Sequence, residues 1–169
     1  MTDQQELLSP MDALANILQQ YMQLPGRVVK YNQGWHAPKD WNLYITISAS
    51  EPSKTIATKN EFDSDTLKEN AYVVSQGRFA VEVISRNDEA ITRREEVFMA
   101  INSALALRIA EANNLSIWRT GGFVDLSALE GASMLCRYRT VVAINYMRQK
   151  SADAEYFDKF RKPEILVEG

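Results

Sequence analysis

The chain has little of what most recognisable sites are built from. It carries one cysteine, Cys136, and one histidine, His36. A single cysteine excludes an internal disulfide and fits a protein made in a reducing compartment. With one residue of each kind, a zinc site of the usual Cys/His composition does not assemble within one chain. A Ser-His-Asp triad would have to use His36. That residue lies in a stretch with Trp35 and Pro38 and without a nucleophile-elbow motif, so it reads as an ordinary loop residue. Neither G-x-x-x-x-G-K-[ST] nor G-x-G-x-x-G occurs, and Gly121-Gly122 reads as a turn.

Other absences narrow the classes further. No run approaches the roughly 18 apolar residues that a membrane-spanning helix needs. The opening MTDQQELL is polar and acidic, unlike a signal peptide. No segment repeats with a period of about 20 to 50 residues. The net charge is −3, which gives no global basic signature for nucleic acid. The expectation is a protein without catalysis, cofactor, metal or membrane span.

What is present is an ordinary globular composition over 169 residues, enough for one domain with a substantial core. The chain is organised around a strand-turn-helix unit from Arg78 to Asn113. Phe79, Val81 and Val83 alternate with Ala80, Glu82 and Ile84, which is a strand pattern apolar on most of both faces. That places the strand centrally in a sheet. Ser85 or Asn87 caps the helix that follows, with Asp88-Glu89 at its positive end. Val97, Phe98, Ile101, Ala104, Leu105 and Ile109 form its buried stripe. The spacing predicts one helix from Asp88 to about Ala112, roughly 35 Å long.

Before this unit, Ser9-Pro10-Met11-Asp12 predicts a helix start. The stripe Met11, Leu14, Ala15, Leu18, Tyr21 and Met22 runs to the stop at Leu24-Pro25-Gly26. Arg27 to Tyr31 reads as a short strand, 32–40 as a loop, and Trp41 to Ser50 as a strand with a half-polar second face of Tyr44, Thr46 and Ser48. Glu51 to Thr66 has few apolar residues and reads as a mobile hairpin arm, with its tip near Ala57 to Glu61. Leu67 to Gln76 returns as a strand or extended connector, and Gly77 bends into the central strand.

After the helix, Leu115 to Arg119 is a short strand, Phe123 to Ser127 leads into a loop at 128–133, and Met134 to Met147 is the longest strand. Residues 151–169 form a polar tail with Tyr156, Phe157 and Phe160. The fold class is therefore α/β in the α+β sense. It is a single domain over 1–150, with a mixed, mostly antiparallel sheet flanked by an N-terminal helix and one long central helix. The arm at 51–66 protrudes, and 151–169 is a C-terminal tail.

Few residues carry candidate chemistry. Arg93-Arg94-Glu95-Glu96 reads as a solvated, internally paired helix face or as a binding patch, with Arg108 and Glu111 a further pair. Arg137 and Arg139 share one strand face. They form either a basic stripe or two paired surface arginines, with Asp125 and Glu130 as candidate partners. Trp41 and Trp118 read as core. Trp35 and the tail aromatics read equally as core or as interface.

In order, the elements run from Ala13-Leu14-Ala15-Asn16-Ile17-Leu18 with Tyr21 and Leu24-Pro25, through Tyr44-Ile45-Thr46-Ile47-Ser48, to Ala80-Val81-Glu82-Val83-Ile84-Ser85-Arg86-Asn87-Asp88-Glu89-Ala90. They close on Phe123-Val124-Asp125-Leu126-Ser127 and Arg137-Tyr138-Arg139. This order resembles the tail terminator, or neck terminator, proteins of long-tailed bacteriophages over roughly residues 10 to 147. The resemblance implies a structural virion subunit, made in the host cytoplasm, that assembles as a homohexameric ring. Such a ring caps the head-proximal end of the tail tube, stops its growth and joins it to the head connector. Its partners would be other copies of itself, the tail tube protein, the neck or connector proteins and in some phages the sheath. DNA would pass the lumen without specific binding.

A closed ring needs two different patches per subunit. The candidate interface residues are Trp35, Lys54, Lys59, Phe62, Arg137, Arg139, Tyr156 and Phe157. The competing expectations are a head-completion or connector subunit one ring higher, a nucleic-acid module built on Arg137, Tyr138 and Arg139, and, last, a small hydrolase or transferase using His36.

Overall fold

Ser9 begins the fold as its sequence predicts. Its hydroxyl accepts the Asp12 N–H at 3.1 Å and donates to the Asp12 carboxylate at 2.6 Å, with Pro10 in the first turn. Helix α1 (Pro10–Tyr21) follows. The computed structural model describes residues 7–30, 36–130 and 133–153. Its further elements are β1 (Val28–Lys30), β2 (Tyr44–Asp63), β3 (Lys68–Ser85), α2 (Glu89–Arg93), α3 (Glu96–Ile101), α4 (Ala104–Ala112), β4 (Leu115–Arg119), β5 (Val124–Asp125), β6 (Ala128–Glu130) and β7 (Ser133–Asp153).

The described strands form one sheet in the order β1-β2-β3-β7-β4, with β5 and β6 also paired to β7. Only β1 and β2 run parallel; the other pairs are antiparallel. The chain is an α+β domain with a mixed, mostly antiparallel sheet. β3 lies at its centre, as the two-sided apolar pattern of Phe79 to Ile84 predicts.

The helices pack on the sheet face that carries Ile45, Ile47, Phe79, Val81, Val83, Tyr138, Val142 and Ile144. Leu14, Ile17 and Leu18 of α1 are fully buried against this face, each contributing about 2 kcal/mol of burial. The buried stripe of α1 is Pro10, Ala13, Leu14, Ile17 and Leu18. Leu14, Leu18 and Met22 of the predicted stripe are buried and Met11 and Ala15 pack against the core, while Tyr21 is exposed and Ala13 and Ile17 widen the buried face. Arg93 ties the next helices to α1 by donating to the Met22 carbonyl at 2.8 Å, a carbonyl left without a helical partner at the α1 end.

The single helix predicted over 88–112 is in three segments. At Arg94-Glu95 the backbone stays helical, but Val97 N–H and Phe98 N–H reach back only three residues, to Arg94 O and Glu95 O. This is a local 3₁₀ tightening. At Asn102-Ser103 the break is complete. Ser103 is extended, its hydroxyl accepts the Ala106 N–H at 3.1 Å, and it donates to Ala100 O at 2.6 Å. Asn102 and Ser103 are end-capping residues, and here capping prevails over the apolar stripe. The predicted start holds in both its forms: Ser85 Oγ accepts the Ala90 N–H, and Asn87 Oδ1 accepts the Glu89 N–H, each at 3.0 Å.

The predicted arm is an ordered β structure among the described residues. β2 and β3 pair from Tyr44↔Ile84 out to Asp63↔Lys68, so the tip is 64–67 and not 57–61. Register shifts in β2 fall at 49/51, 51/54 and 55/57, around Pro52. β7 pairs with β3 without a shift from Ser85↔Cys136 to Lys68↔Asp153. The arm is therefore three-stranded, and the first residues of the expected tail, Ser151 to Asp153, belong to it. β3 is 18 residues and about 60 Å long. Gly77 lies inside it and is not a bend. A Cβ there would sit 2.9 Å from ring atoms of Phe79, so glycine makes room for that ring in the core.

Three smaller expectations also change. β2 begins at Tyr44, and Trp41 is 58% exposed outside the core. Trp118 lies on the face away from the helices, in register with Ala143, and is 37% exposed. Residues 128–130 are strand and not loop, held in register by β7.

Candidate functional site: an open sheet face and a three-stranded arm

Cross-strand register sorts the second face of the sheet. β2 places Tyr44, Thr46 and Ser48 there, β3 places Ala80, Glu82 and Ile84, and β7 places Arg137, Arg139, Val141 and Ala143. Trp118 and Val124 extend it along the far edge of β7. No described helix packs on this face.

Its centre is a buried carboxylate. Glu82 is 7% exposed, and one of its oxygens accepts from Arg137 Nε at 3.0 Å and Nη2 at 2.7 Å, and from Thr46 Oγ1 at 3.4 Å. The Arg137 side chain is more open, so the pair is neutralised from the solvent side. Burial pushes the neighbouring Tyr44 phenol up, while Arg86 and Arg137 pull against that shift. At the end of β3, Arg86 donates to Glu130 at 2.9 Å and to Ser133 Oγ at 3.0 Å, which fastens the β6–β7 hairpin to the central strand.

The arginine pairings differ from those expected. Arg137 pairs with Glu82, one strand across, and Glu130 is taken by Arg86. Asp125 instead accepts the Ser127 N–H at 2.9 Å, and its carboxyl is held low chiefly by Ser127. Arg139 stands directly across from Glu82 in register and has no ion partner among the described residues. Arg93 pairs with Glu96, as the three-residue spacing predicts. Arg94 bonds its neighbour Glu95 and lies 4.5 Å over the Tyr138 ring. Arg93 thus ties this helical stretch to the end of α1 and Arg94 lies against the sheet, so the pair is more than a solvated face.

The other candidate residues lie far from this centre. Lys54 is exposed near the base of the arm, 3.9 Å from Glu51. Lys59 pairs with Glu61 along the arm, and Phe62 is 58% exposed near its tip. Trp35, Tyr156 and Phe157 lie outside the described residues. His36 is exposed. The structure thus brings Arg137 and Arg139 together on one face and places Lys54, Lys59 and Phe62 on a projection from it.

The arm has two open edges. β1 covers β2 only at Ile45 to Ile47, so the outer edge of β2 is unpaired among the described residues from Ser48 to Asp63. The outer edge of β7 is unpaired among the described residues beyond Met147, whose N–H donates to Asn114 O at 3.3 Å. Open edges invite strand addition, and Pro52, the lysines and the bulges of β2 are the devices that restrain it. Sequence reasoning missed the third strand of the arm and the exposed apolar residues Val124, Leu126 and Leu129. The alternation of Tyr146, Arg148 and Lys150 was the available signal for the former.

Among the described residues no three His, Cys, Asp or Glu side chains gather in a metal-holding group. What the arrangement offers is contact surface: a half-polar face with an unpaired arginine, an apolar rim and a projecting sheet. No family model matches the chain, and a search of curated proteins finds no match.

Proposed function

We propose that this chain is a tail terminator subunit of a long-tailed bacteriophage. It assembles with copies of itself into a ring, caps the head-proximal end of the tail tube, stops tube polymerisation and joins the tail to the head connector. The observation that carries this reading is the arm. A three-stranded sheet reaches about 30 Å beyond the helix-covered core, from Gly77 to Lys68, with Phe62 and both outer edges open. A lone subunit gains little from such a projection, whereas an assembling one gains a reaching contact.

The second support is asymmetry. The arm and the open face around Arg139, Val124 and Trp118 are different surfaces of one chain, as a closing head-to-tail ring requires. The element order of the sequence adds the resemblance to the terminator family. The mild net acidity suits a lumen that lets DNA pass without gripping it.

The test is end-labelling. Gold-tagged full-length chain is mixed with purified tail tubes and imaged by electron microscopy. Label confined to one end of each tube supports the terminator. Label on isolated portal assemblies but never on tubes moves the chain to the connector. Label on neither removes both.

A further inference from the structure

Beside β4, the last strand of the sheet, runs a groove of about 420 Å³. Its walls include Ser103, Ala106, Leu107 and Ala110 from the α4 region and Leu115 and Ile117 from β4. The small residues Ala106 and Ala110 keep the helix side shallow. Leu107 is 61% exposed at its mouth. Among the described residues β4 pairs with β7 along one edge only, so its outer edge offers unpaired main-chain groups next to an apolar trough. An edge strand flanked by a helix is the form of site that accepts one more extended segment, with main-chain bonds for affinity and alternate side chains in the trough.

The chain itself carries a segment that fits. Ala57 to Asp63 of β2 is regular after the last bulge, pairs inward with β3 and is open outward. It presents Phe62, a large ring with no role in its own core. Charge also matches. The arm tip carries Asp63, Asp65 and Glu69 against one lysine, Lys68, and so is acidic on balance, and Arg119 closes the far end of β4. The Arg119 guanidinium lies 5.0 Å over the Phe98 ring and has no carboxylate partner among the described residues. The arm cannot reach its own groove: β4 starts opposite Tyr146, at the arm's base, and the arm runs straight away from there.

We infer that the arm of one copy lies in the β4 groove of the next. Residues Ala57 to Asp63 add as a strand on the outer edge of β4, with Phe62 beside Leu107 and the acidic tip near Arg119. This rests on the self-assembly proposed above and specifies its interface. Each copy gives an arm and receives one, so the contact is head-to-tail and propagates around a ring.

The test uses two surface cysteines. Phe62→Cys and Leu107→Cys chains are purified separately, checked for native circular dichroism, mixed and mildly oxidised, alone and with tail tubes. The expected result is a disulfide-linked heterodimer at least about tenfold more abundant than in a control mixture of Phe62→Cys with Tyr21→Cys, an exposed site on α1. Phe62→Asp should lower self-association by a similar factor. Equal cross-linking in both mixtures, or none in either, overturns the inference. End-labelled tubes without the cross-link leave the terminator standing and remove the arm contact. The cross-link without end-labelling does the reverse.

Discussion

Arg137 reaches Glu82 with two nitrogens, at 3.0 and 2.7 Å, across the β3–β7 pair, and the two partners are unequally buried. The Arg137 side chain is 39% exposed and that of Glu82 10%. Removing the arginine leaves a buried carboxylate whose remaining hydrogen bond among the described residues is the 3.4 Å contact from Thr46, with Arg139 across the strand pair not bonded to it. Removing the carboxylate leaves a guanidinium that water can reach. Arg137→Met should therefore cost about 3 kcal/mol and Glu82→Gln about 1 kcal/mol in urea unfolding. Equal losses, or the reverse order, would contradict this account of the face.

Thr140 offers a gain. It faces the core opposite Val81, and its hydroxyl has no hydrogen-bond partner among the described residues. Thr140→Val keeps the shape and removes an unsatisfied group. We expect about 1 kcal/mol of added stability, seen as a higher urea midpoint at unchanged slope. A loss of stability would show that the hydroxyl is satisfied in solution.

Gly77 should not tolerate a methyl group. Ala at 77 would press on the Phe79 ring, itself buried in the core. The expected cost of Gly77→Ala is about 1 to 2 kcal/mol. Phe79→Leu in the same chain should recover part of it, and simple additivity of the two changes would refute the steric explanation.

The Asp12 carboxyl is held below its ordinary value by the ammonium of Lys30 and then by the Ser9 hydroxyl. A folded-state value below the unfolded one stabilises the fold above the ordinary carboxylate range. That contribution is lost as pH falls through the depressed value. The pair is partly exposed, so Asp12→Asn should cost only about 0.5 to 1 kcal/mol at pH 7. Compared with wild type by urea unfolding, the deficit should hold above the ordinary carboxylate range and shrink as pH falls below it. A constant deficit across that range would place the effect elsewhere.

Much of the fold was legible because local signals agreed with the tertiary arrangement. Ser9-Pro10 caps α1, Ser85 and Asn87 cap the next helix, and the two-sided pattern of β3 marks the central strand. The misses arise where local signals compete or where pairing is long-range. Asn102-Ser103 breaks an otherwise continuous helical stripe. Ser151 to Asp153 is polar, yet it is strand because β3 supplies its main-chain partners. Trp41 and Trp118 are aromatic, but register and position leave them outside the core. For the candidate surface, Arg137 and Arg139 were legible as sharing a face, while the partner of Arg137 depended on which strand lay beside β7. The β4 groove was not legible, since it depends on where the sheet ends.

The central claim is tested most directly by electron microscopy of lysates from a phage lacking the coding sequence of this chain. The account predicts overlong or irregular tail tubes beside unattached, DNA-filled heads. Tails of normal length joined to heads in infectious particles would contradict it.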